Sequence, residues 1–342
     1  MSHLPFTPRK SATLRDVARL SGVSLMTVSN VVNRNYAAMR PETRDRVEKA
    51  IAQLGYRPRG TARSLRLDRN FAVGILIVDP LSSFLADPFI SQVVAGLSNS
   101  LGERGYGCLV HGVRPEELER SIFLGDSRTD GICAFLSGDH AHRRDCLERL
   151  LKLHVPIIAI EDTNVGLHPD LAVVRQDDFG AAKAMTELFL AKGLRRFFVL
   201  APQLPWPSVT QRLAGMNDAI KKGDSQAHLT IVPCGSGSIA EAERILPEFL
   251  HSSQEPAAII GATDRLAVAV ARFVTQREMP FPSSIGSFSA SETSNDLAVF
   301  TIVAISEPYR IGREAGLLMV ERIEKGAFRQ QEVLIPIKLY QR

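Results

Sequence analysis

The sequence is short of cysteine, of aromatic side chains and of long apolar runs, and each shortage removes a class of function. Its four cysteines, Cys108, Cys133, Cys146 and Cys234, are scattered with no C-x-x-C spacing, as expected of reduced thiols. No apolar stretch approaches the ~20 residues of a membrane-spanning helix. The N-terminal residues lack the apolar centre of a signal peptide, so a cytoplasmic protein with no membrane partner is expected. Aromatic residues make up 6% of the chain, with one tryptophan, while 45% hydrophobic residues over 342 positions suffice for one small domain and two mid-sized lobes.

Enzyme motifs are scarce as well. There is no P-loop and no serine nucleophile elbow. The run Gly235-Ser236-Gly237-x-x-Ala240 follows an apolar stretch and opens a helix, as a dinucleotide fingerprint does. No second strand with an acidic end stands at the required distance, so a plain βα turn is the better reading. Asp139, His140, His142, Asp145 and Cys146 cluster without a metal-ligand spacing and read as a solvated helix start. No catalytic residue, metal or cofactor is expected.

What the chain does have is an uneven charge. Residues 1–70 carry 14 Lys/Arg against 5 Asp/Glu, a net of +9, whereas the whole chain is only +4, leaving the remainder at −5. A basic module on an acidic body is what phosphate binding requires, since affinity for DNA grows with each neutralised phosphate. Within that module Thr13 and Asp16 form a capping box before a helix bearing Leu14, Val17 and Ala18 on one face. Gly22 marks a sharp turn, Ser24 caps the next helix, and Val28, Val31 and Val32 give that helix a buried side. Small residues at Ala18 and Gly22 suit two helices crossing closely, the helix-turn-helix arrangement, although an ordinary helical hairpin has the same apolar spacing. A third helix runs from Glu42 to Leu54, with Pro41 at its start and Gly55 at its end. The basic segment 56–66 then offers Ala62 and Leu65 among arginines, the composition of a minor-groove wedge or of a flexible linker.

The run DVARLSGVS-x-x-TVS followed by GYRP-x-x-x-ARSL resembles the DNA-binding headpiece and hinge helix of the lactose-repressor/galactose-repressor family over about fifty-five residues. The resemblance implies a headpiece at 1–57, a hinge helix at 58–70, and an effector-binding and dimerisation domain at 71–342. It further implies that Leu25, Met26, Thr27, Ser29 and Asn30 read the major groove, with Ala62 and Leu65 in the minor groove. Thr13, Ser24, Asn33, Tyr36, Arg59 and Arg63 complete the expected DNA-binding set. Leu25 and Met26 stand where polar or aromatic readers are frequent, Asn30 replaces a frequent Arg, and Arg59 a frequent Asn; these departures bear on which operator is read.

Beyond residue 70, short apolar runs alternate with amphipathic helical segments, which implies open parallel sheets with right-handed crossovers. The expected fold class is thus an all-α helix-turn-helix headpiece followed by an α/β domain. The resemblance makes that domain two periplasmic-binding-protein-like lobes, the first about 71–165 and 302–328, the second about 168–298 and 331–342. The chain would cross between them near Asp162–Leu171, Ala290–Val303 and Gly326–Val333. Ligands bind at the carboxyl ends of such strands. Asp79, Glu161, Gln176, Trp206, Ser208, Thr263 and Asp264 lie there by position, and Phe89 and Ser289 complete the candidate set.

The run Ser208-x-x-x-Arg212-Leu-Ala-Gly resembles the family segment whose arginine binds effector, which makes Arg212 the leading single candidate. Alternatives stand beside several of these: a surface ion pair for Arg212, a helix N-cap for Asp264, a packed loop anchor between Pro205 and Pro207 for Trp206. A frequent family Gly-Phe-Asp appears here as Ser287-Phe288-Ser289, and the loop Asp79–Pro88 is longer than usual. Loss of that acid favours an anion beside Arg212.

The expected function is a ligand-responsive, sequence-specific regulator of transcription, most simply a repressor. Its partners would be double-stranded operator DNA, a small polar effector (a sugar, sugar acid or phosphate, or related metabolite) and a second copy of the chain. One small headpiece reads one half-site, so a homodimer on a pseudo-palindrome follows. The sequence ends without the leucine heptads of a tetramer-forming tail. The alternative is a cytoplasmic small-molecule-binding or nucleotide-modifying protein with a basic helical arm.

Overall fold

The computed structural model describes residues 12–33, 35–36, 39–56, 69–79, 84–125, 129–204, 206–250, 256–276, 283–289 and 299–341, with the backbone alone at 250, 283 and 289. The chain divides into two compact units, Met1–Asn70 and Phe71–Arg342.

In the first unit, α1 (Leu14–Ser21), α2 (Leu25–Val32) and α3 (Pro41–Leu54) enclose Val17, Ala18, Val28, Val31, Val47, Ala50 and Tyr56. The helices begin where their caps dictate. The Thr13 hydroxyl accepts from the Asp16 N–H at 3.3 Å while Asp16 accepts from the Thr13 N–H at 2.9 Å, so two otherwise orphaned donors are satisfied reciprocally. Gly22 ends α1 with φ of 63°, a left-handed turn that a side chain resists, and Ser24 then accepts from the Thr27 N–H at 3.1 Å to start α2.

The second unit runs β1 (Ala72–Val78), α4 (Pro88–Gly102), β2 (Gly107–Val113), α5 (Ile122–Gly125), β3 (Ile132–Leu136), α6 (His140–Leu151), β4 (Ile157–Ile160), β5 (Leu171–Gln176) and α7 (Asp178–Ala191). It continues with β6 (Arg196–Ala201), α8 (Pro207–Gly223), β7 (His228–Pro233), α9 (Ile239–Leu250), β8 (Ala257–Gly261), α10 (Asp264–Gln276) and β9 (Ser283–Ser289). The last elements are β10 (Ile302–Ile305), α11 (Pro308–Lys325), β11 (Glu332–Ile335) and β12 (Lys338–Gln341). Two six-stranded sheets result, ordered β11-β5-β4-β3-β1-β2 and β12-β10-β9-β8-β6-β7, parallel throughout except for β12 against β10.

Each sheet is covered on both faces, as parallel sheets must be. Val73, Ile75 and Ile77 of β1 face Val93 and Leu97 of α4 and Ile311 and Leu318 of α11, whereas Leu76 and Val78 face Leu147 and Leu150 of α6. In the second sheet Phe198 and Leu200 pack with α9 and α10, and Phe197 and Val199 with α7 and α8. Helices α4 and α11 touch backbone to backbone, since a Cβ on Gly96 would lie 2.1 Å from the Tyr309 carbonyl oxygen and one on Gly312 would lie 2.0 Å from that of Val93.

The strands place the interlobe crossings later than expected from sequence. Strand β5 joins the first lobe's sheet, β10 the second's and β11 the first's. The crossings therefore lie between Gln176 and Asp178, between Ile305 and Pro308, and between Ile335 and Lys338, not near 162–171, 290–303 and 326–333. The lobe limits move with them. The apolar run of β5 was legible, but which sheet a strand joins depends on distant partners such as the pairing of Leu171 with Ile157. The crossings are mutually tied: the Asp177 N–H donates to the Ile335 carbonyl at 2.9 Å, and Lys338 reaches Glu307 at 3.4 Å.

Candidate functional site

In the headpiece, α2 turns Val28 and Val31 inward and leaves Leu25, Met26, Ser29 and Asn30 on the other side. Met26 is 71% exposed and Leu25 45%, a pair of apolar side chains with no core to join. The Asn30 side chain makes no hydrogen bond among the described residues, whereas Asn33 donates to the Ser29 carbonyl at 2.7 Å and closes the helix. Thr13 and Ser24 are occupied as caps, and Thr27 shares a 2.9 Å hydroxyl contact with Ser24. Tyr36 lies under the Arg44 guanidinium at 4.3 Å from the ring centre. Arg59, Ala62, Arg63 and Leu65 lie outside the described residues.

In the body, Asp79, Phe89, Glu161, Gln176, Trp206, Ser208, Arg212, Thr263 and Asp264 line one cavity of about 350 Å³ between the two sheets' carboxyl ends. Ser289 ends β9, its side chain outside the described atoms. Sequence reasoning missed Phe84, Asp87, Arg265, Phe288 and Ser306, which also line it, and Ser236 and Gly237, set aside above as a plain turn. Thr263 accepts from the Leu266 N–H at 3.4 Å and so caps α10, of which Asp264 is the first residue. Trp206 packs against the core beneath α8 and also lines the cavity.

Arg212 is neither an exposed surface arginine nor an unengaged cation. It is 6% exposed, donates from Nε to Asp178 at 2.7 Å and from a terminal nitrogen to the Ala262 carbonyl at 2.6 Å, and lies 4.5 Å over the Phe288 ring. Asp178, the first residue of α7, had no local signal; its partner is 34 positions away. Glu161, from the first lobe, reaches the same pair. Its backbone sits at φ of 55°, its Oε1 accepts from the Gln176 N–H at 3.0 Å, and its carboxyl hydrogen-bonds Asp178. Enclosure by protein and the neighbouring Asp178 charge hold the Glu161 acid well above the usual carboxylate range. Burial raises Asp178 too, against the pull of Arg212. Both amide atoms of Gln176 are buried without a partner among the described residues.

The loop carrying Glu161 is set by a second buried pair. Arg143 donates to Asp162 at 2.9 Å, and the other Asp162 oxygen accepts from the Thr163 N–H, the Asn164 N–H and the Asn164 amide at 2.6–2.8 Å. Near the cavity mouth Arg265 of the second lobe stands 3.9 Å from Asp87 of the first. Asp139 is the N-cap of α6, accepting from the His142 N–H at 2.8 Å, and Asp145 pairs with Arg149 at 2.9 Å. Burial pushes the Cys146 and Cys234 thiols up to about 11, so neither is a nucleophile at neutral pH.

Residues 13–59 match the family described as bacterial regulatory proteins, lacI family, and residues 72–342 match that described as periplasmic binding proteins and sugar binding domain of the LacI family. The chain belongs to the LacI family. It is a ligand-responsive, DNA-binding transcriptional repressor, and members of this family are regulators, not enzymes. The ribose operon repressor of Escherichia coli (strain K12) is 27% identical over 334 residues, covering 95% of this chain and 98% of that one. The fold is also that of a lac repressor dimer bound to operator and the anti-inducer ONPF (TM-score 0.79, 21% identity, 97% and 98% of the two chains). A complex of the regulator CelR with cellobiose matches at TM-score 0.65 and 23% identity over 96% and 98%. Within this LacI-family chain the two candidate sites are thus the exposed side of α2 and the interlobe cavity.

Proposed function

We propose that this repressor binds a pseudo-palindromic operator as a homodimer and responds to an uncharged, hydroxyl-rich effector held between its lobes. The observation that carries the effector class is the state of Arg212. Its charge is already met by Asp178, which leaves it no charge to offer a ligand. Arg265, the other cation on the lining, faces Asp87. An anionic effector would find both cations of the lining already facing carboxylates, so the anionic reading drawn from Ser289 loses its support. Aromatic walls from Phe84, Phe89, Trp206 and Phe288 suit the apolar faces of a sugar ring. The ribose and cellobiose named for its relatives are uncharged molecules of that kind.

Association through the outer strands fits the surface. Strands β2 and β7 are the outer edges of their sheets, and they leave Leu109, Val110 and Ile231 between 37% and 46% exposed. Two headpieces so paired would read half-sites about one helical turn apart, and the protein would act in the cytoplasm, where its operator lies. Calorimetric titration with ribose, cellobiose, nucleosides, sugar phosphates and uronates tests the effector class. Binding confined to uncharged members is expected, and binding confined to the anions would overturn it. For DNA, footprinting a selected operator should give two-fold protection. Asn30→Ala should then cost about 1–3 kcal/mol on that operator and relax preference at one base pair per half-site. Equal loss on random DNA would remove Asn30 from the reading face.

A further inference from the structure

The two lobes meet at a cluster whose charges do not balance. Asp178 and Arg212 belong to the second lobe, Glu161 to the first, and Gln176 to the crossing between them. Around Glu161 and Asp178 the charged groups are Arg212 on α8, Arg175 on β5 and Asp79 beyond β1, with Asp162 next to Glu161 in the chain and Asp177, the N-cap of α7, next to Asp178. The cations are spoken for. Arg143 is held by Asp162, and Arg175 lies 2.7 Å from Glu332 of β11. That leaves one guanidinium, Arg212, for two carboxyls, and it contacts Asp178 directly.

We propose that the lobes share a proton: Glu161 of the first lobe holds it and donates it to the Asp178 carboxylate of the second, making the cleft a pH-sensitive joint. While the acid is protonated, the Glu161–Asp178 hydrogen bond ties the lobes beside the cavity. When the proton leaves to solvent, two carboxylates face each other across the joint with one guanidinium between them. The repulsion then favours separation of the lobes. The joint is already uneasy in two respects: Glu161 holds a left-handed backbone conformation without being glycine, and the Gln176 amide has no partner. Separation relieves the second by admitting water. Enclosure and the Asp178 charge both hold the Glu161 acid above the usual range, in the direction that sharing requires. As a control on the repressor, the device rests on the cavity being the effector site; its geometry does not.

The test uses the full-length chain without effector, so its outcome is independent of whether any sugar binds. Trp206, the sole tryptophan, lines the cavity and reports its hydration. With glutamate 13C-labelled at Cδ, one carboxyl resonance should titrate well above the ordinary glutamate range and be missing in Glu161→Gln. Trp206 emission should move to longer wavelength across the same midpoint in the wild type and stay fixed in Glu161→Gln. Asp178→Asn removes the opposing charge and leaves Arg212 to favour ionised Glu161, so its midpoint should fall. If Glu161→Gln fails to fold, the Asp178→Asn shift decides alone. A Glu161 resonance titrating in the ordinary range, an emission indifferent to that midpoint, or an unchanged midpoint in Asp178→Asn would each overturn the proposal. Failure of the whole effector panel, with the titration intact, would instead reject the effector reading.

Discussion

The two lobes each bury an Arg–Asp pair of nearly the same geometry, and the two pairs behave as different devices. Arg143 and Asp162 in the first lobe stand 2.9 Å apart, and Arg212 and Asp178 in the second 2.7 Å, all with side chains no more than 7% exposed. Asp162 has its second oxygen filled by three N–H donors, so charge and hydrogen bonds close within one lobe. Asp178 meets a third group from the other lobe instead. A buried ion pair whose partners all lie in one lobe fixes a loop, whereas one left with an extra acid from across a hinge responds to its surroundings.

Breaking the first pair is the largest expected effect. Arg143→Ala leaves Asp162 buried without its cation and should lower unfolding free energy by about 3–5 kcal/mol, measured by urea denaturation. A loss below ~1 kcal/mol would mean that the three N–H donors alone hold the loop. Arg212→Ala should cost less, about 1–3 kcal/mol, because Asp178 and Glu161 can then both take protons. It should also abolish the response to effector while leaving effector-free operator binding near normal; a full response by this variant would take Arg212 out of the site.

The pH dependence sharpens the contrast. The Glu161 acid is raised in the folded chain. At pH below the ordinary glutamate value both folded and unfolded forms are protonated, and its contribution is fully present. As pH climbs through the raised value the folded chain is forced to ionise it, and that contribution is lost. Denaturation at a series of pH values should therefore show stability falling over that interval in the wild type and more weakly in Glu161→Gln. The smallest effect belongs to the exposed mouth pair. Asp87→Asn, which keeps a helix-capping oxygen, should alter stability by only about 0–1 kcal/mol. A larger loss would show the 3.9 Å contact with Arg265 to be a structural clamp.

Local signals carried much of this into the sequence, and non-local pairings did not. Thr13, Gly22 and Ser24 announce α1 and α2 because caps act within three residues. Apolar runs announce the strands, strand ends place Glu161 and Gln176 near a common opening, and the family resemblance adds Arg212. Nothing nearby announces Asp178 as the partner of Arg212, or Ala262, 50 positions away, as its acceptor. Reading Arg212 as an anion receptor loses support for that reason: its charge is visible in sequence, its pairing with Asp178 only in space. The same holds for β5 and β11, whose sheet is chosen by neighbours that no periodicity names.

The three adjoining crossings carry a mechanical consequence. Two rigid bodies joined by a single strand can swivel about it, and a second junction leaves rotation about the line through both. A third junction beside them, with Asp177 bonded to Ile335 and Lys338 to Glu307, stiffens twist and slide and leaves bending as the soft motion. An effector acting on such a body has one coordinate to work along, an opening angle, and whatever free energy its binding differs by between open and closed forms is delivered along that angle alone.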